Sequence, residues 1–483
     1  MWLTDLLNDP TAPRLDVQRV VDDSRLLGTD DKANTLFVLD TRNHPHAADF
    51  ITEAQQYAAA VVSNIQQPGV LYHPAPGQVL GRWARHLYPR QPAHVVAVTG
   101  TNGKTSVAWY YQQLCQAAGH KAACMGTLGV YVNGEKTRET GYTSPTPVVT
   151  HETLDDLAAA GVTHVCLEAS SHALALHRLD AVDITAAALT NITQDHLDFH
   201  GTMDAYHAAK ARLFTDCLPP EGVTVLPSQR MEAWPLMAAA KADDRDIITF
   251  GSGQAALTLS PVAATADGQT LTLKLSDVKK EITVPLLGTF QAENLGAAIG
   301  LALASGLSLT DILPHLPHLH PVPGRMETLP RSPAQPAVVI DYAHTPDALE
   351  QVLTTLRPLV PTDGKLWCVF GCGGNRDTAK RPLMGKIVAD LADVSLITDD
   401  NPRHEDPAII RADIQQGVPH EHTIGDRTEA IAYALQHANT HDIILLAGKG
   451  HETGQIIGDT THPFSDKDTA QHILQNTTPA TGT

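Results

Sequence analysis

Residues Val95–Ser106 read Val-Val-Ala-Val-Thr-Gly-Thr-Asn-Gly-Lys-Thr-Ser. A short β-branched apolar run reads as a buried strand, and the glycine-bearing turn after it opens a helix. Strand, glycine loop, lysine and hydroxyl residue, then helix is the order in which a chain cradles a nucleoside triphosphate. Backbone N–H groups from Gly100, Thr101, Asn102 and Gly103 can point at phosphate oxygens, and the helix N-terminus adds a favourable field. Lys104 is expected to hold the outer phosphates, with Thr105 or Ser106 ligating magnesium. Val98 stands where the usual loop carries a further glycine. An ordinary strand–turn–helix corner gives no reason for Gly-Lys-Thr-Ser at the helix start.

At 483 residues the chain is too long for one ordinary core. A hydrophobic content of 43% with 18% charged residues fits a soluble globular protein. Met1–Pro10 has no basic region followed by a long apolar stretch, so no signal peptide is expected. No run approaches the ~18 apolar residues that span a bilayer, so no membrane partner is expected. Six scattered cysteines predict a reduced, cytoplasmic protein without structural zinc. A formal charge of −19 argues against a nucleic-acid surface, so positive charge for an anionic ligand must be local. Only Gln475–Thr483 reads as a frayed tail.

The strand–helix rhythm divides the chain into residues 1–90, 91–326 and 327–483, with Tyr88-Pro89-Arg90-Gln91-Pro92 as a linker. The expected class is α/β: a small N-terminal α/β domain, a central P-loop domain with a mainly parallel sheet, and a C-terminal Rossmann-like, doubly wound domain. In the first, strands are expected at Thr35–Leu39 and Ala60–Ser63 around a helix at Ala47–Ala59; Asp23-Ser24-Arg25 reads as a turn with a solvated charge. In the second, Thr143-Ser144-Pro145-Thr146-Pro147 suits either phosphate or sugar contacts or a surface loop. His164–Glu168 reads as a buried strand ending in a carboxylate. Ala186–Leu189 reads as another strand and leads into Asp195-His196-Leu197-Asp198, either an ion or phosphate site or a helix cap with a core-facing histidine. Asp204–Phe214 is expected to be a helix with an apolar stripe of Ala205, Ala208, Ala209 and Leu213. Lys210 lies in that stripe, and spacing does not choose between a snorkelling ammonium and a lysine modified to carry negative charge near metal. Pro261–Val284 alternates like an antiparallel peripheral sheet, and Leu295–Ser305 reads as a helix. His315, His318 and His320 follow no metal-ligand spacing.

In the third segment four strands each end in a polar or glycine-rich turn: Asp341; Gly371–Asp377; Asp399–Arg403; and Gly448–Glu452. A helix is expected at Leu383–Leu391. Ligands of a doubly wound sheet gather at that carboxyl edge.

Together and in this order, these motifs resemble the Mur ligases of peptidoglycan synthesis along essentially the whole chain. Thr99–Thr105 matches that family's ATP loop, which also lacks the extra glycine. Glu168, His196, Asn294, Arg325 and Asp341 match its other shared positions, the last three on the ATP side. The resemblance implies that Ser24, Thr143, Ser144, Ser170 and Arg178 hold a UDP-sugar substrate. It implies that Glu168 and His196 ligate Mg²⁺ and that Lys210 carries a CO₂-derived carbamate. Arg376, Asp400, Asn401, Pro402, Arg403, Gly448 and Glu452 match the diaminopimelate-recognition positions. Diaminopimelate differs from lysine by a carboxylate at its far end, which a guanidinium pairs bidentately. The chain departs from relatives at Arg42-Asn43-His44, Tyr142 and Leu176.

The implied reaction is ATP-driven amide formation. A D-glutamate γ-carboxylate on UDP-N-acetylmuramoyl-L-Ala-D-Glu takes the γ-phosphoryl group, and the amine of meso-diaminopimelate displaces phosphate from the acyl phosphate. Lys104, Lys210, His196 and Glu168 are the expected catalytic set, closure of the C-terminal domain is expected to complete the site, and a monomer is expected. A lysine-adding relative fits everything except Arg403. A folylpolyglutamate synthetase fits the loop but not the N-terminal domain or Asp400–Arg403.

Overall fold

The computed structural model describes residues 1–28, 32–41, 47–418 and 422–476. Arg42-Asn43-His44 and residues 477–483 lie outside them. Two compact units are present: Met1–Leu259 with Lys274–Val278 and Glu293–His315, and Ser260–Leu273 with Lys279–Ala292 and Leu316–Thr483.

The first unit begins with a parallel sheet of four strands, β1 (Arg19–Val21), β2 (Thr35–Leu39), β3 (Ala60–Ser63) and β4 (Leu71–Tyr72), in that order. Its apolar runs are continuous because both faces are covered. Val20, Leu36, Val38 and Val62 pack with Leu80 and Trp83 of the helix Pro76–Leu87. Val21, Phe37, Leu39 and Val61 pack with Ile51 and Ala54 of the helix Ala47–Tyr57 on the other face.

The central strands are β5 (His94–Thr99), β6 (Ala122–Gly126), β7 (Gly129–Val132), β8 (Glu135–Arg138), β9 (His164–Glu168), β10 (Ile184–Leu189), β11 (Val223–Pro227), β12 (Ile247–Gly251), β13 (Leu257–Thr265), β14 (Gly268–Leu275) and β15 (Val278–Val284). They form one sheet in the order β15-β14-β13-β12-β11-β10-β5-β9-β6-β7-β8. Pairings from β13 through to β6 are parallel, and β7 and β8 add an antiparallel edge. β13–β15 are neighbours joined by two-residue turns, the geometry of antiparallel hairpins, as the alternation of 261–284 predicted. From β5 the chain turns to β6 on one side and later crosses from β9 to β10 on the other. The carboxyl end of β5 is therefore a topological switch point, where ligands of open α/β sheets bind.

In the second unit, β16 (Glu327–Thr328), β17 (Ala337–Asp341), β18 (Leu366–Phe370), β19 (Val394–Ile397), β20 (His422–Thr423) and β21 (Ile443–Ala447) pair in the order β16-β17-β21-β18-β19-β20. All pairings are parallel except β16–β17. Val339, Cys368 and Leu445 face the helices Pro346–Leu356, Lys380–Leu391 and Pro407–Gln415, while Val338, Val369 and Leu446 face Arg427–His437 and Asp466–Asn476. Helices on both faces make this part doubly wound, as expected. A hairpin of β22 (Gly454–Ile457) and β23 (Thr460–Pro463) follows β21.

Several boundaries differ from expectation. The helix after Thr202 runs Met203–Arg212 and widens into a π-helical turn, Leu213–Cys217. Its buried face is Tyr206, Ala209, Lys210 and Leu213, whereas Ala205 and Ala208 face solvent. The alanine stripe was misphased because a tyrosine and a lysine, not two alanines, turn inward. The helix expected from Leu383 begins at Lys380, and that expected at 295–305 spans Phe290–Ala304. Gln475 and Asn476 belong to the last helix rather than to a frayed tail. Among the described residues no helix is long and apolar enough to cross a membrane.

Candidate active site

The loop between β5 and the helix Lys104–Ala117 is shaped by two glycines. Gly103 holds φ +89°, and a Cβ there would lie 2.3 Å from Asn294 Oδ1. A Cβ on Gly100 would lie 1.8 Å from Thr190 Oγ1. The residues after β10 brace the loop from below. Thr190 Oγ1 donates to Asn102 O (2.6 Å), Asn102 N donates to Asn191 Oδ1 (3.0 Å), and Thr101 Oγ1 donates to Thr193 O (3.1 Å). Lys104 folds back so that Nζ donates to Gly100 O and Thr101 O, both at 2.9 Å. Ser106 is buried in the first turn of the helix.

Lys210 is not a snorkelling lysine. It is 1% exposed, its Nζ donates to Gly100 O at 2.8 Å, and the ammonium sits 4.6 Å from the ring centroid of Tyr206. Burial pushes its pKa down to about 6, the nearby Lys104 charge adds to the shift, and Asp195 opposes it. At neutral pH such an amine is largely unprotonated.

Glu168, at the end of β9 and 3% exposed, is a hub of hydroxyl contacts. Its Oε2 accepts from Thr105 Oγ1 (3.0 Å) and Thr127 Oγ1 (3.2 Å), and Oε1 accepts from Thr127 N (2.9 Å). Thr127 Oγ1 also lies 3.0 Å from Thr143 Oγ1. His196 is not core-facing; with φ +52° it caps the short helix Leu197–His200, with a half-exposed side chain 3.4 Å from Asp195 and edge-on to His172. Among the described residues no three His, Cys, Asp or Glu side chains are grouped to hold a metal ion.

A cavity of about 370 Å³ opens between the four-stranded sheet and the 142–147 segment, and Ser24, Tyr142, Thr146, Leu176 and Arg178 line it. Arg25 is solvated and paired with Asp23, as its turn setting predicted, while Ser24 is buried. Arg178 donates to Ser144 O (2.9 Å) and lies over the Tyr142 ring at 5.3 Å. Ser144 is buried, donating to Glu168 O (2.6 Å) and to Ser170 Oγ (3.2 Å), and Ser170 caps the helix Ser171–Ala175. Thr143, Ser144 and Ser170 therefore knit the cavity's far wall to Glu168, so the 143–147 segment is more than a surface loop. Asp22 completes the cavity. Burial lifts its carboxyl to about 6 against the pull of Thr146 and Arg178.

In the second unit Asp341 is buried at the end of β17, its oxygens accepting from Met326 N and Ala343 N (both 2.8 Å). Arg325 precedes Met326, and its Nε is buried with no hydrogen-bond partner among the described residues. The turns after β18, β19 and β21 converge. Arg403, with φ +52°, donates from NH1 to Gly374 O (2.9 Å), and its backbone bonds Ile456 O and Gly458 N. Pro402 O fits against Gly374, where a Cβ would come within 2.0 Å. Gly371–Gly374 is thus a floor for the 400–403 turn. Asn401 Nδ2 donates to Glu452 Oε2 (2.9 Å), and Gly448 turns with φ +112° beside Asp400. Arg376 is exposed on the same edge. Burial raises the Tyr342 pKa, Glu452 and Asp400 raise it further, and Arg325 and Arg376 lower it, so all four surround one phenol.

A family model described as "Mur ligase middle domain" matches residues 98–302, and one described as "Mur ligase, glutamate ligase domain" matches residues 324–450. The UDP-N-acetylmuramoyl-L-alanyl-D-glutamate–2,6-diaminopimelate ligase of Caulobacter vibrioides is 42% identical over 478 residues, covering 96% of each chain. The chain belongs to the Mur ligase family. A Rhizobium meliloti protein of the same description is 40% identical over 94% of this Mur ligase and 93% of its own length. A solved structure so described superposes with a TM-score of 0.73 at 33% identity, covering 98% of this chain and 99% of that one.

Motif reading of this Mur ligase passed over four residues that the fold brings in: Asp22, Thr127, Tyr206 and Lys449. Asp22 adjoins a motif that was read and Lys449 lies within one, both at strand ends where polar groups collect. Thr127 and Tyr206 carry no such signal, because their positions follow from a β-turn and from the phase of a helix.

Proposed function

We infer that this Mur ligase is an ATP-dependent amide ligase that adds meso-2,6-diaminopimelate to UDP-N-acetylmuramoyl-L-Ala-D-Glu in peptidoglycan precursor synthesis. Similarity to diaminopimelate ligases over nearly the full length supports the reaction. The observation that carries the choice of amine is Arg403: one guanidinium nitrogen is fixed on Gly374 O, and among the described residues its NH2 and Nε donate to no protein group. That free edge suits a carboxylate. With lysine bound instead, it would be left partly desolvated and unpaired.

The γ-carboxylate oxygen of the D-glutamate attacks the γ-phosphorus of ATP, and the bond to the bridging oxygen breaks to give ADP and an acyl phosphate. The diaminopimelate amine then attacks the acyl carbon, the C–O bond to phosphate breaks, and the amine proton is lost. On nucleotide binding, Lys104 exchanges its two loop carbonyls for phosphate oxygens and offsets their charge. Gly100, Thr101, Asn102, Gly103, Thr105 and Ser106 form the phosphate cradle, with Asn294 against Gly103. For Arg325 and Asp341, nucleotide contact rests on resemblance. Ser24, Thr143, Ser144, Ser170 and Arg178 are assigned to the UDP-sugar side.

Mg²⁺, when bound, neutralises phosphate charge; Thr105, Glu168, His196 and Lys210 as its carbamate would hold it. Three of these donors fit, since Glu168 is a buried carboxylate that accepts from Thr105 at the loop and Lys210 presents a largely neutral buried amine that can add CO₂; His196 is included on resemblance. Arg376, Asp400, Asn401, Pro402, Arg403, Gly448 and Glu452 are assigned to diaminopimelate. The division at 1–90, 91–326 and 327–483, a cytoplasmic setting and a monomeric state belong to the same proposal. Phosphate release tests it, with ATP, Mg²⁺ and UDP-dipeptide present and diaminopimelate, lysine, or folate with glutamate offered separately. Release with diaminopimelate is expected, and release only with another acceptor contradicts the assignment.

A further inference from the structure

Lys449 follows β21 and is completely buried, yet none of the assigned contacts uses it. Its Nζ donates to Asn401 Oδ1 (3.0 Å), Glu452 Oε2 (3.1 Å) and Asp400 Oδ1 (3.4 Å). Three donors thus meet three acceptors, all on residues assigned to the amino-acid site.

We propose that Lys449 is a positioning residue for the incoming amino acid, setting the orientations of Asn401 and Glu452. This rests on the reading that the 400–403 turn and Glu452 bind diaminopimelate. An asparagine amide can flip, and Lys449 removes that freedom. Because Oδ1 accepts from Lys449 Nζ and from Ile456 N (2.9 Å), the Nδ2 group must point to Glu452. Glu452 Oε2 then takes both Lys449 and Asn401, and among the described residues Oε1 accepts no hydrogen bond. That oxygen is the acceptor left for a substrate ammonium. The Ile456 contact also joins the turn to β22, whose Ile456 O holds the Arg403 N–H at 3.0 Å. Lys449 therefore acts on both ends of the ligand: an anionic oxygen for its ammonium and, through Asn401 and β22, the guanidinium for its far carboxylate. Its charge also offsets Asp400 and Glu452, two carboxylates that would otherwise be close and unpaired.

The test is steady-state kinetics of the full chain, wild type against Lys449→Met, varying diaminopimelate, ATP and UDP-dipeptide in turn. The expected result is a KM for diaminopimelate raised roughly tenfold to a hundredfold, the equivalent of one charge-assisted hydrogen bond, with the other two KM values unchanged. A purely structural role would lower the active fraction, and so kcat, without moving one KM; that outcome, or an unchanged KM, overturns the proposal. Should Lys449→Met not fold, Lys449→Arg keeps the cation but replaces a tetrahedral donor set with a planar fork, and it must raise the same KM. An unaltered KM in that variant overturns the proposal equally. A wild type that consumes diaminopimelate while the variants keep its KM refutes only the role of Lys449. A wild type inert with diaminopimelate refutes the underlying assignment as well.

Discussion

Lys104 and Lys210, more than a hundred positions apart, donate to the same oxygen, the carbonyl of Gly100, at 2.9 and 2.8 Å. Two ammonium groups on one acceptor repel, and the buried Lys210 gives up its proton more readily. The Lys210 pKa falls from 10.5 to about 6, first through burial and then through the Lys104 charge. The folded state therefore binds fewer protons than the unfolded state between those values. Stability is expected to rise with pH across that window and to lose this dependence below about 6, where both states are protonated. Lys210→Met removes the titrating group, so its melting temperature should climb less over the same pH range than that of the wild type. Equal slopes contradict the buried, neutral amine.

The neutral amine is also what CO₂ requires. Lys210→Ala is expected to lower kcat by roughly a hundredfold or more, as when a charge-stabilising group leaves an active site. Bicarbonate or a short carboxylic acid should restore part of the loss, because either can place an anion in the space vacated. Full activity in the unsupplemented variant excludes the carbamate.

Lys104 has a different task. Lys104→Ala should leave the fold intact, since its Nζ bonds Gly100 O and Thr101 O within its own loop and Thr190 and Asn191 brace that loop independently, but ATP turnover should fall by roughly a hundredfold to a thousandfold. Tripeptide synthesis at the normal rate would place the phosphate site elsewhere.

Gly103 and Gly119 separate strain from collision. Both hold positive φ, +89° and +91°, but an added Cβ meets Asn294 Oδ1 at 2.3 Å in the first and nothing within 4 Å in the second. Gly119→Ala should cost about 1 kcal/mol from backbone strain alone and leave the KM for ATP unchanged. Gly103→Ala should destabilise more and raise the KM for ATP, because Asn294 or the loop must move. Thermal unfolding and nucleotide kinetics of the two variants check this, and identical behaviour contradicts it.

What could be read in the sequence follows the physics of burial. Strands covered on both faces, such as Val95–Thr99, His164–Glu168 and Ile443–Ala447, are continuous apolar runs, and their polar ends mark the carboxyl edge where the candidate site lies. The helix Met203–Arg212 was legible as a helix but not in phase, because its inward face carries Tyr206 and Lys210 while two alanines face water. Hydrophobic periodicity has no means of registering a lysine kept neutral by its surroundings. Lys449 was hidden for a similar reason: a lysine between two glycines reads as part of a polar turn until Asp400 and Asn401 of a distant loop and Glu452 of its own turn surround it. Asp22 and the Thr127–Glu168 contacts arise from chain segments that meet only in three dimensions.

In the proposed function the ligase selects its amine through Arg403. The most direct measurement is a competition: wild type and Arg403→Lys supplied with ATP, Mg²⁺, UDP-dipeptide and equal diaminopimelate and lysine, with the products identified by mass spectrometry. The wild type is expected to form only the diaminopimelate tripeptide. Arg403→Lys, which keeps the charge but not the planar fork, should lose roughly tenfold to a hundredfold in diaminopimelate incorporation and with it most of the discrimination. A wild type that incorporates lysine as readily as diaminopimelate, or a variant with undiminished preference, rules out selection by Arg403.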